Sequence, residues 1–281
     1  MSLDEGAALP RDPPAPGGPW DLPLAEAPLA FLDLEMTGLA IGKDRVVEVC
    51  IERTRGAQLE ARIETLVHPE GRTGAEQVHG LDAAALASAP PFAAIAPAVI
   101  ELIEGAIVVA HGAAWDLAFL RDELGRLGLG HRAPRHALDT LTLARRALYL
   151  HSYALGSVAE ALEVATDRAH RAGADVTMLR GIFWPIARAL EPKTPRDLWD
   201  VRVGERVARP GVRAALEAAL ASAEPVEIAY RPARGGPTTL TFVIQSIDDD
   251  PPRVHGYSLP ARGRRDLRID RVLRVGPAKQ P

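Results

Sequence analysis

The sequence predicts an α/β protein with a second, smaller β-rich unit, on three observations. Past residue 27 the chain opens with β-type runs at 29–34, 45–53 and 58–67, then alternates a short apolar strand with helical segments. After residue 197, short β-like runs are divided by Gly, Pro and Asp turns. Residues 201–281 carry 14 Lys and Arg against 9 Asp and Glu, while the remainder carries 19 against 28. We therefore expect two modules with different roles.

The first module is predicted to be a sheet covered by helices. Its second and third β-type runs alternate in part between apolar and polar residues, which favours antiparallel pairing. A short buried strand is expected at residues 106–110. Apolar residues near helical spacing predict helices over the following ranges: 81–88, 92–104, 114–128, 137–150, 157–165 and 174–190.

The domain boundaries follow from composition. Residues 1–27 are rich in Pro, Gly and Ala and predict a disordered or loosely held arm. We assign residues 28–190 to the first domain, 191–205 to a linker and 206–281 to the second domain. In that second domain a helix over 210–223 precedes β-like runs at 227–231, 239–247, 253–259 and 266–275, a pattern typical of a helix joined to a small β-barrel.

Composition excludes several classes of protein. The chain has 281 residues, of which 47% are apolar, but it contains no uninterrupted apolar run long enough to span a membrane. Acidic residues stand near the N-terminus where a secretion signal needs basic ones, so we expect a cytoplasmic protein. Cys50 is the only cysteine, which excludes an intrachain disulfide and a cysteine cluster for zinc. A net charge of −4 argues against a nonspecific polycationic binder.

Two carboxylates interrupt the first apolar run. Asp33 and Glu35 are two residues apart, so on a strand their side chains point to the same face. Neighbouring anions resist joint ionisation unless a cation lies between them, and Mg²⁺ and Mn²⁺ prefer such oxygen ligands. The alternative is an exposed acidic pair at a strand end. Gly38 follows closely and suits a sharp turn where a ligand approaches the backbone.

Three further residues suggest chemistry. Asp116 is predicted to lie in the first turn of a helix that follows a strand, where it could simply complement the helix dipole. His170 is expected in a loop and Asp175 near the start of the next helix. A solvent-facing histidine and an N-terminal helix acid are the structural alternatives for that pair.

Taken in order, these motifs resemble the DEDDh 3′-5′ exonucleases. These are the DnaQ-like enzymes, which include the proofreading subunit of bacterial replicative polymerase and oligoribonuclease. The shared pattern is D-x-E, then an aspartate followed by x-x-F-L, then H-x4-D, and it covers residues 28–190. EMTGL, EQVHGL and DTLTLARRAL also look like the family. The resemblance implies an RNase H-like fold, a mixed central sheet flanked by helices. Arg171 occupies the position of the tyrosine in the other subclass, so the histidine subclass is favoured.

The resemblance also implies residue roles. Asp33, Glu35, Asp116 and Asp175 would hold two divalent cations, Mg²⁺ or Mn²⁺, and His170 would act as general base on the attacking water. Met36, Thr37, Gly38, Leu39 and His79 are family-like positions beside a bound terminal nucleotide, although core packing is an alternative for Met36 and Leu39. Asp139 is expected to be structural. The chain departs from the family at Gly112, where many relatives have an asparagine, which bears on substrate preference.

The C-terminal module resembles a WYL domain. Arg265, Arg268, Asp270, Arg271 and Val272 form its closing run, whereas residues 255–259 are only a loose counterpart of the naming trio. The resemblance implies a small Sm/SH3-like β-barrel. Arginine forks suit phosphate, so Arg264, Arg265, Arg268 and Arg271 are predicted to contact nucleic acid. The alternative is a solvated surface ion-paired through Asp266 and Asp270.

The leading prediction is a two-metal 3′-5′ exonuclease acting on single-stranded DNA or RNA with a free 3′ end, aided by the basic C-terminal domain. One alternative is a ligand-sensing or nucleic-acid-binding regulator that uses the nuclease domain as a scaffold. Others are oligoribonuclease-like degradation of short RNA, and a C-terminal module that serves dimerisation or partner docking. The oligomeric state stays open.

Overall fold

The computed structural model describes residues 8–70, 80–81, 83–148, 150–165, 171–203, 211–232, 238–249 and 252–278. Two units are visible: an N-terminal unit whose last described helix is Pro195–Val203 and a C-terminal unit whose first described helix is Val212–Ser222. Each contains a five-stranded sheet. The sequence prediction of an α/β domain followed by a β-rich unit is confirmed at this level.

The N-terminal sheet is mixed. Its strands are β1 (Pro28–Met36), β2 (Val46–Arg55), β3 (Gln58–Leu66), β4 (Ile107–Ala110) and β5 (Ala137–Asp139), in the spatial order β3-β2-β1-β4-β5. β1, β2 and β3 pair antiparallel, as their alternating pattern predicts. β4 and β5 run parallel to β1, so β1 and β4 end at the same edge of the sheet.

Helices cover both faces of this sheet. They are α1 (Ala83–Ala87), α2 (Phe92–Ile103), α3 (Ala114–Arg126), α4 (Thr140–Ala147), α5 (Leu155–Ala161), α6 (Ala172–Leu190) and α7 (Pro195–Val203). Successive side chains of β1 enter different cores, since strand residues alternate between faces. Leu29 and Phe31 pack with α4 to α7, whereas Ala30 and Leu32 pack with α2 and α3. Asp33 and Glu35 therefore share the face covered by α6.

Three sequence predictions about boundaries are wrong. Residues 137–139 form strand β5 and not the first turn of a helix, because they pair with β4. The loosely held arm is ordered over residues 8–27, where buried Trp20 and Leu24 join the core beneath α7. The expected linker contains α7, whose Leu198 and Trp199 are buried in the same core. In the arm and the linker, a few apolar anchors outweigh a composition that looks loop-like.

The C-terminal unit is a helix packed on an antiparallel sheet. It comprises α8 (Val212–Ser222), β6 (Val226–Tyr230), β7 (Thr238–Asp249), β8 (Pro252–Leu259), β9 (Gly263–Arg268) and β10 (Val272–Pro277), with the sheet order β10-β6-β7-β8-β9. The run predicted over 266–275 is divided between two strands by a short 3-10 turn, Ile269–Arg271. Buried Leu216, Phe242 and Val254 lie in its separate core. Within the described ranges, no helix has the length and apolar character needed to cross a bilayer.

Candidate active site

Two elements bring three carboxylates together. β1 carries Asp33 and Glu35 on the face that contacts α6, and Asp175 lies in the first turn of α6. Each of the three side chains offers an oxygen, and these oxygens all lie within 4.8 Å of one another. This convergence explains two features of the sequence. Asp33 and Glu35 are two residues apart on a strand, and Asp175 lies at the N-terminus of a helix.

The fourth predicted acid lies at the same edge of the sheet. β4 ends beside β1 and leads into α3, which places buried Asp116 in the first turn of that helix. Backbone N–H groups of Asp116 and Leu34 hydrogen-bond to its carboxylate, but burial dominates and raises its pKa to about 7. Asp116 is outside the group of three defined by the 4.8 Å limit, yet its charge contributes to the raised pKa of Asp33.

The electrostatics of the site favour a cation. Burial raises the pKa of Asp33 well above its usual value, and the charges of Asp116, Asp175, Glu35 and Glu48 raise it further. Burial also raises the pKa of Glu35 to about 7, with Asp175 as the next cause. Carboxylates crowded in this way resist ionisation together unless positive charge compensates them. The oxygen-only ligand set matches hard divalent cations such as Mg²⁺ and Mn²⁺.

Glu48, which the sequence analysis missed, anchors the helix that carries Asp175. Its buried carboxylate on β2 accepts hydrogen bonds from Arg171 Nη2 at 2.8 Å and from the Ala172 backbone N–H at 3.1 Å. Ala172 is the first residue of α6, so the carboxylate satisfies an N–H that the helix itself leaves unpaired. Glu48 is also the register partner of Glu35. A carboxylate inside an apolar strand was the available signal, the same one that singled out Asp33.

The turn after β1 is organised by Asp44. Its carboxylate accepts hydrogen bonds from Thr37 Oγ1 at 3.1 Å and from the Ala40 N–H at 2.8 Å. A Cβ at Gly38 would lie 2.5 Å from Asp44 Oδ2, which is closer than any real contact. Glycine is therefore required at position 38 because Asp44 lies too close for a side chain. The sequence analysis explained Gly38 by access of a ligand and did not include this contact.

A buried ion pair joins that turn to the helix of Asp116. Arg45 donates to both oxygens of Glu123 on α3, through Nε at 2.8 Å and Nη2 at 2.9 Å. Glu123 also accepts a hydrogen bond from the Val46 N–H at 3.2 Å, so both of its carboxylate oxygens are hydrogen-bonded. This planar two-bond pairing is specific to arginine and sets the start of β2 against α3.

The other predicted substrate positions are only partly described. Leu39 is 54% exposed, which excludes core packing as its role, while Met36 packs partly against the core beneath α2 and α3. Thr37 is buried and bonded to Asp44. His79 and His170 lie outside the described residues, so their roles stay predictions.

The segment between β4 and α3 has a structural explanation. Gly112 has a φ of +85°, a conformation that glycine and asparagine tolerate better than other residues. Its N–H donates to Asp139 Oδ1 at 2.8 Å, and Asp139 also caps α4 by accepting the Leu141 N–H. The structural role expected for Asp139 is confirmed. Glycine at position 112 meets this backbone requirement.

The predicted basic surface of the C-terminal unit is divided. Arg264 and Arg265 are exposed on β9, at the end of the sheet order. Arg268 instead forms a two-bond pair with Asp270, at 2.9 and 2.8 Å, as the ion-paired alternative predicted. Arg268 and Arg271 line a cleft that faces the N-terminal unit. The second predicted partner, Asp266, bonds to His255 at 2.8 Å.

Fold and site together define an α/β protein with an acidic centre suited to divalent cations. The sequence profile of the RNase T exonuclease family matches residues 30–183, and the chain therefore belongs to this exonuclease family. The chain is 30% identical to a PolC-type DNA polymerase III of Caldanaerobacter subterraneus subsp. tengcongensis over 170 residues, which are 59% of this chain and 12% of that protein. It is 29% identical to the DNA polymerase III subunit epsilon of Aquifex aeolicus, covering 59% of this chain and 84% of that one.

The 3′-5′ exonuclease DinG of Bacillus subtilis is 29% identical over 163 residues, which are 57% of this chain and 17% of that protein. This chain thus spans only a small part of the PolC-type and DinG relatives.

Solved structures extend the fold comparison. A zinc-bound E. coli exonuclease I complex with single-stranded DNA aligns with a TM-score of 0.55 and 16% identity, covering 83% of this chain and 54% of that one. E. coli exonuclease I with a dT13 oligonucleotide aligns with a TM-score of 0.53 and 14% identity, covering 89% of this chain and 65% of that one. Coverage of 89% exceeds the N-terminal unit, so the similarity in fold includes part of the C-terminal unit.

Proposed function

We propose that this protein is a divalent-cation-dependent 3′-5′ exonuclease that hydrolyses phosphodiester bonds at the 3′ end of single-stranded nucleic acid. One observation carries the proposal: Asp33, Glu35 and Asp175 converge within 4.8 Å inside a domain of the RNase T exonuclease family. Relatives named as 3′-5′ exonuclease and as the epsilon subunit of DNA polymerase III support the same reaction.

The residues present fit a cation pair. Asp33, Glu35 and Asp175 would hold it, with Asp116 completing the set from α3. When bound, divalent cations in such sites favour attack by water and stabilise the departing oxygen. The chain's own contribution is to crowd the carboxylates in a buried setting, because β1, α3 and α6 meet at one edge of the sheet.

His170 would remove the proton from the attacking water. It is the residue before Arg171, whose guanidinium is held by Glu48 at the start of α6. An imidazole has an ordinary pKa near 6.5 and can accept a proton close to neutral pH. The Glu48 contact supports the assignment. It holds Arg171, the residue that follows His170 in the sequence, beside the strand that pairs with the Glu35 strand.

The terminal nucleotide would lie against the turn after β1. Leu39 is the exposed apolar residue there, and the Asp44 hydrogen bonds hold residues 37–40 in one shape. A rigid turn with an apolar tip suits stacking on a nucleobase. Relatives crystallised with single-stranded DNA support an unpaired substrate, and the free 3′ end is the expected point of attack.

We further infer that the C-terminal unit is WYL-like, with its sheet curled into a small Sm/SH3-like barrel that assists substrate binding. A helix followed by five antiparallel strands supports this assignment. The extension of fold similarity to exonuclease I into this unit supports a role in the same reaction.

A substrate panel tests the proposal. Purified protein is incubated with 5′-labelled single-stranded DNA and RNA of 5 and 30 nucleotides, with Mg²⁺, Mn²⁺ or no cation. We expect a ladder of products shortened from the 3′ end, dependent on cation and absent when the 3′ end is blocked. Preference for the 5-nucleotide RNA would assign oligoribonuclease-like activity. No cleavage of any strand with either cation would overturn the proposal and favour the regulator.

A further inference from the structure

Arginines from both units line one cleft. The described residues around it are Thr142, Arg145 and Arg146 of α4 and Arg231, Arg268, Asp270, Arg271 and Leu273 of the C-terminal unit. We call this the interdomain arginine cleft. Its volume is about 390 Å³, within the range of sites for small ligands. The candidate catalytic carboxylates are not among its lining residues.

Charge is the unusual property of this cleft. Five of its described lining residues are arginines and one is an acid, Asp270, whose carboxylate binds Arg268. Arg145 and Arg146 of α4 thus line the same partly enclosed space as Arg231, Arg268 and Arg271 of the C-terminal unit. Guanidinium groups gathered in such a space favour the binding of an anion. An anionic ligand bound there would contact residues of both units.

The walls of the cleft are held in place. Arg146 Nη1 donates to the carbonyl of Asp270 at 3.4 Å, which links α4 to the turn before β10. Arg231 donates to the Tyr153 hydroxyl, and its guanidinium lies 4.7 Å from the centre of the Tyr153 ring. The backbone N–H of Arg231 donates to the carbonyl of Arg271 at 3.0 Å. These contacts hold the lining residues in place, so the cleft has its shape before a ligand binds.

We propose that the interdomain arginine cleft binds phosphate groups. Guanidinium forks match the geometry of phosphate oxygens and donate paired hydrogen bonds, and several forks converge here. The phosphates belong either to a free nucleotide or to a nucleic-acid strand. This binding does not depend on hydrolysis at the carboxylates.

Tyr153 also links the wall of the cleft to the segment before α3. The main-chain carbonyl of Tyr153 bonds to His111 Nε2 at 2.8 Å, and His111 Nδ1 bonds to Thr140 Oγ1 at 2.9 Å. His111 lies between β4 and α3, the helix that carries Asp116.

The test measures binding by calorimetry to full-length protein freed of metal, so that no strand is cleaved. The probes are pyrophosphate, dTMP, and dT12 at two salt concentrations, with polyglutamate of similar charge as a probe without phosphate. We expect Arg145→Gln and Arg271→Gln each to weaken phosphate binding about tenfold or more, which corresponds to roughly 1.4 kcal/mol. The matched control, Arg55→Gln with Arg135→Gln at exposed positions outside the cleft, should change it less than twofold.

The probes also identify the source of the phosphate. Binding of pyrophosphate and dTMP supports a free nucleotide, whereas binding of dT12 alone supports a strand. Arg145→Lys and Arg271→Lys retain the positive charge and should keep part of the affinity. Partial binding by these variants would show that the weaker binding of the Gln variants comes from lost contacts and not from unfolding. The proposal is overturned when polyglutamate binds as well as dT12. Equal loss in the Arg55 and Arg135 control overturns it too, as does the lack of effect of either Gln variant.

Discussion

The guanidinium of Arg171 lies against the carboxylate of Glu48, with Nε 3.2 and 3.1 Å from its two oxygens and Nη2 2.8 Å from Oε1. The same carboxylate accepts the N–H of Ala172. One buried acid on β2 thus anchors the first turn of α6, and α6 carries Asp175. The placement of Asp175 among the carboxylates therefore depends on Glu48.

Glu48→Gln should weaken that support. We expect a loss of about 2 kcal/mol in the free energy of unfolding, because hydrogen bonds to a charged group are replaced by weaker ones. Turnover should fall about tenfold with little change in KM, since the variant moves Asp175 without touching the turn after β1. Urea unfolding and steady-state kinetics measure the two effects. Glu60→Gln, at an exposed pair with Arg55, is the control and should stay near wild type. Wild-type turnover in Glu48→Gln would show that the contact is only structural.

Asp33→Asn should separate stability from activity. Replacing a buried carboxyl group whose ionisation is opposed by burial and by its acidic neighbours should raise the melting temperature of the metal-free protein at neutral pH. The same change should abolish the rise in melting temperature caused by Mn²⁺ and lower turnover about 100-fold or more. Thermal unfolding with and without Mn²⁺ measures this, with Asp12→Asn as the exposed control. A Mn²⁺ response that persists in Asp33→Asn would remove Asp33 from the ligand set.

The stability of the metal-free protein should fall as pH rises from 5 to 8. The pKa of Glu35 and that of Asp116 are raised from their ordinary values to about 7. The folded state therefore holds protons that the unfolded state has released, and this contribution is complete near pH 4 and lost as pH passes 7. Cations compete with those protons, so stabilisation by Mn²⁺ should grow over the same interval. Melting curves at pH 5, 6, 7 and 8 test both trends, and a Mn²⁺ effect independent of pH would contradict them.

His170→Ala should remove turnover but not cation binding. Loss of a general base typically lowers the rate by about 10²–10⁴-fold. The four acids are unchanged, so the Mn²⁺-induced rise in melting temperature should match that of the wild type. His131→Ala, at an exposed position, is the control for loss of an imidazole. Wild-type rates in His170→Ala would withdraw its assigned role.

Gly112→Asn should be tolerated better than Gly112→Val. A Cβ at this position meets nothing within 4 Å, so the cost comes from the φ of +85° alone. In this region a β-branched residue lowers the free energy of unfolding by about 1–2 kcal/mol, whereas asparagine lowers it less. Urea unfolding of the two variants measures the difference. Equal stability would show that the backbone here relaxes.

The strands and the order of the acids could be predicted from the sequence. Apolar runs, alternation and helix spacing are local properties, and they located β1 to β4 and α2, α3 and α6 to within a few residues. β5 was missed because three residues carry too little pattern to differ from the helix that follows. The burial of Trp20, Leu24 and Trp199 was not predicted, because these residues lie in Pro-rich or charged segments where composition favours a loop.

By itself the sequence determined that two acids share a face of one strand and that further acids follow at helix starts, because strand and helix periods are local geometry. It also determined the family resemblance. Only the tertiary structure decided that Glu48 holds α6, that Asp44 fills the space beside Gly38, and that arginines of α4 face those of the C-terminal unit. Those contacts join residues far apart in the chain, and their distances depend on how the sheets and helices pack.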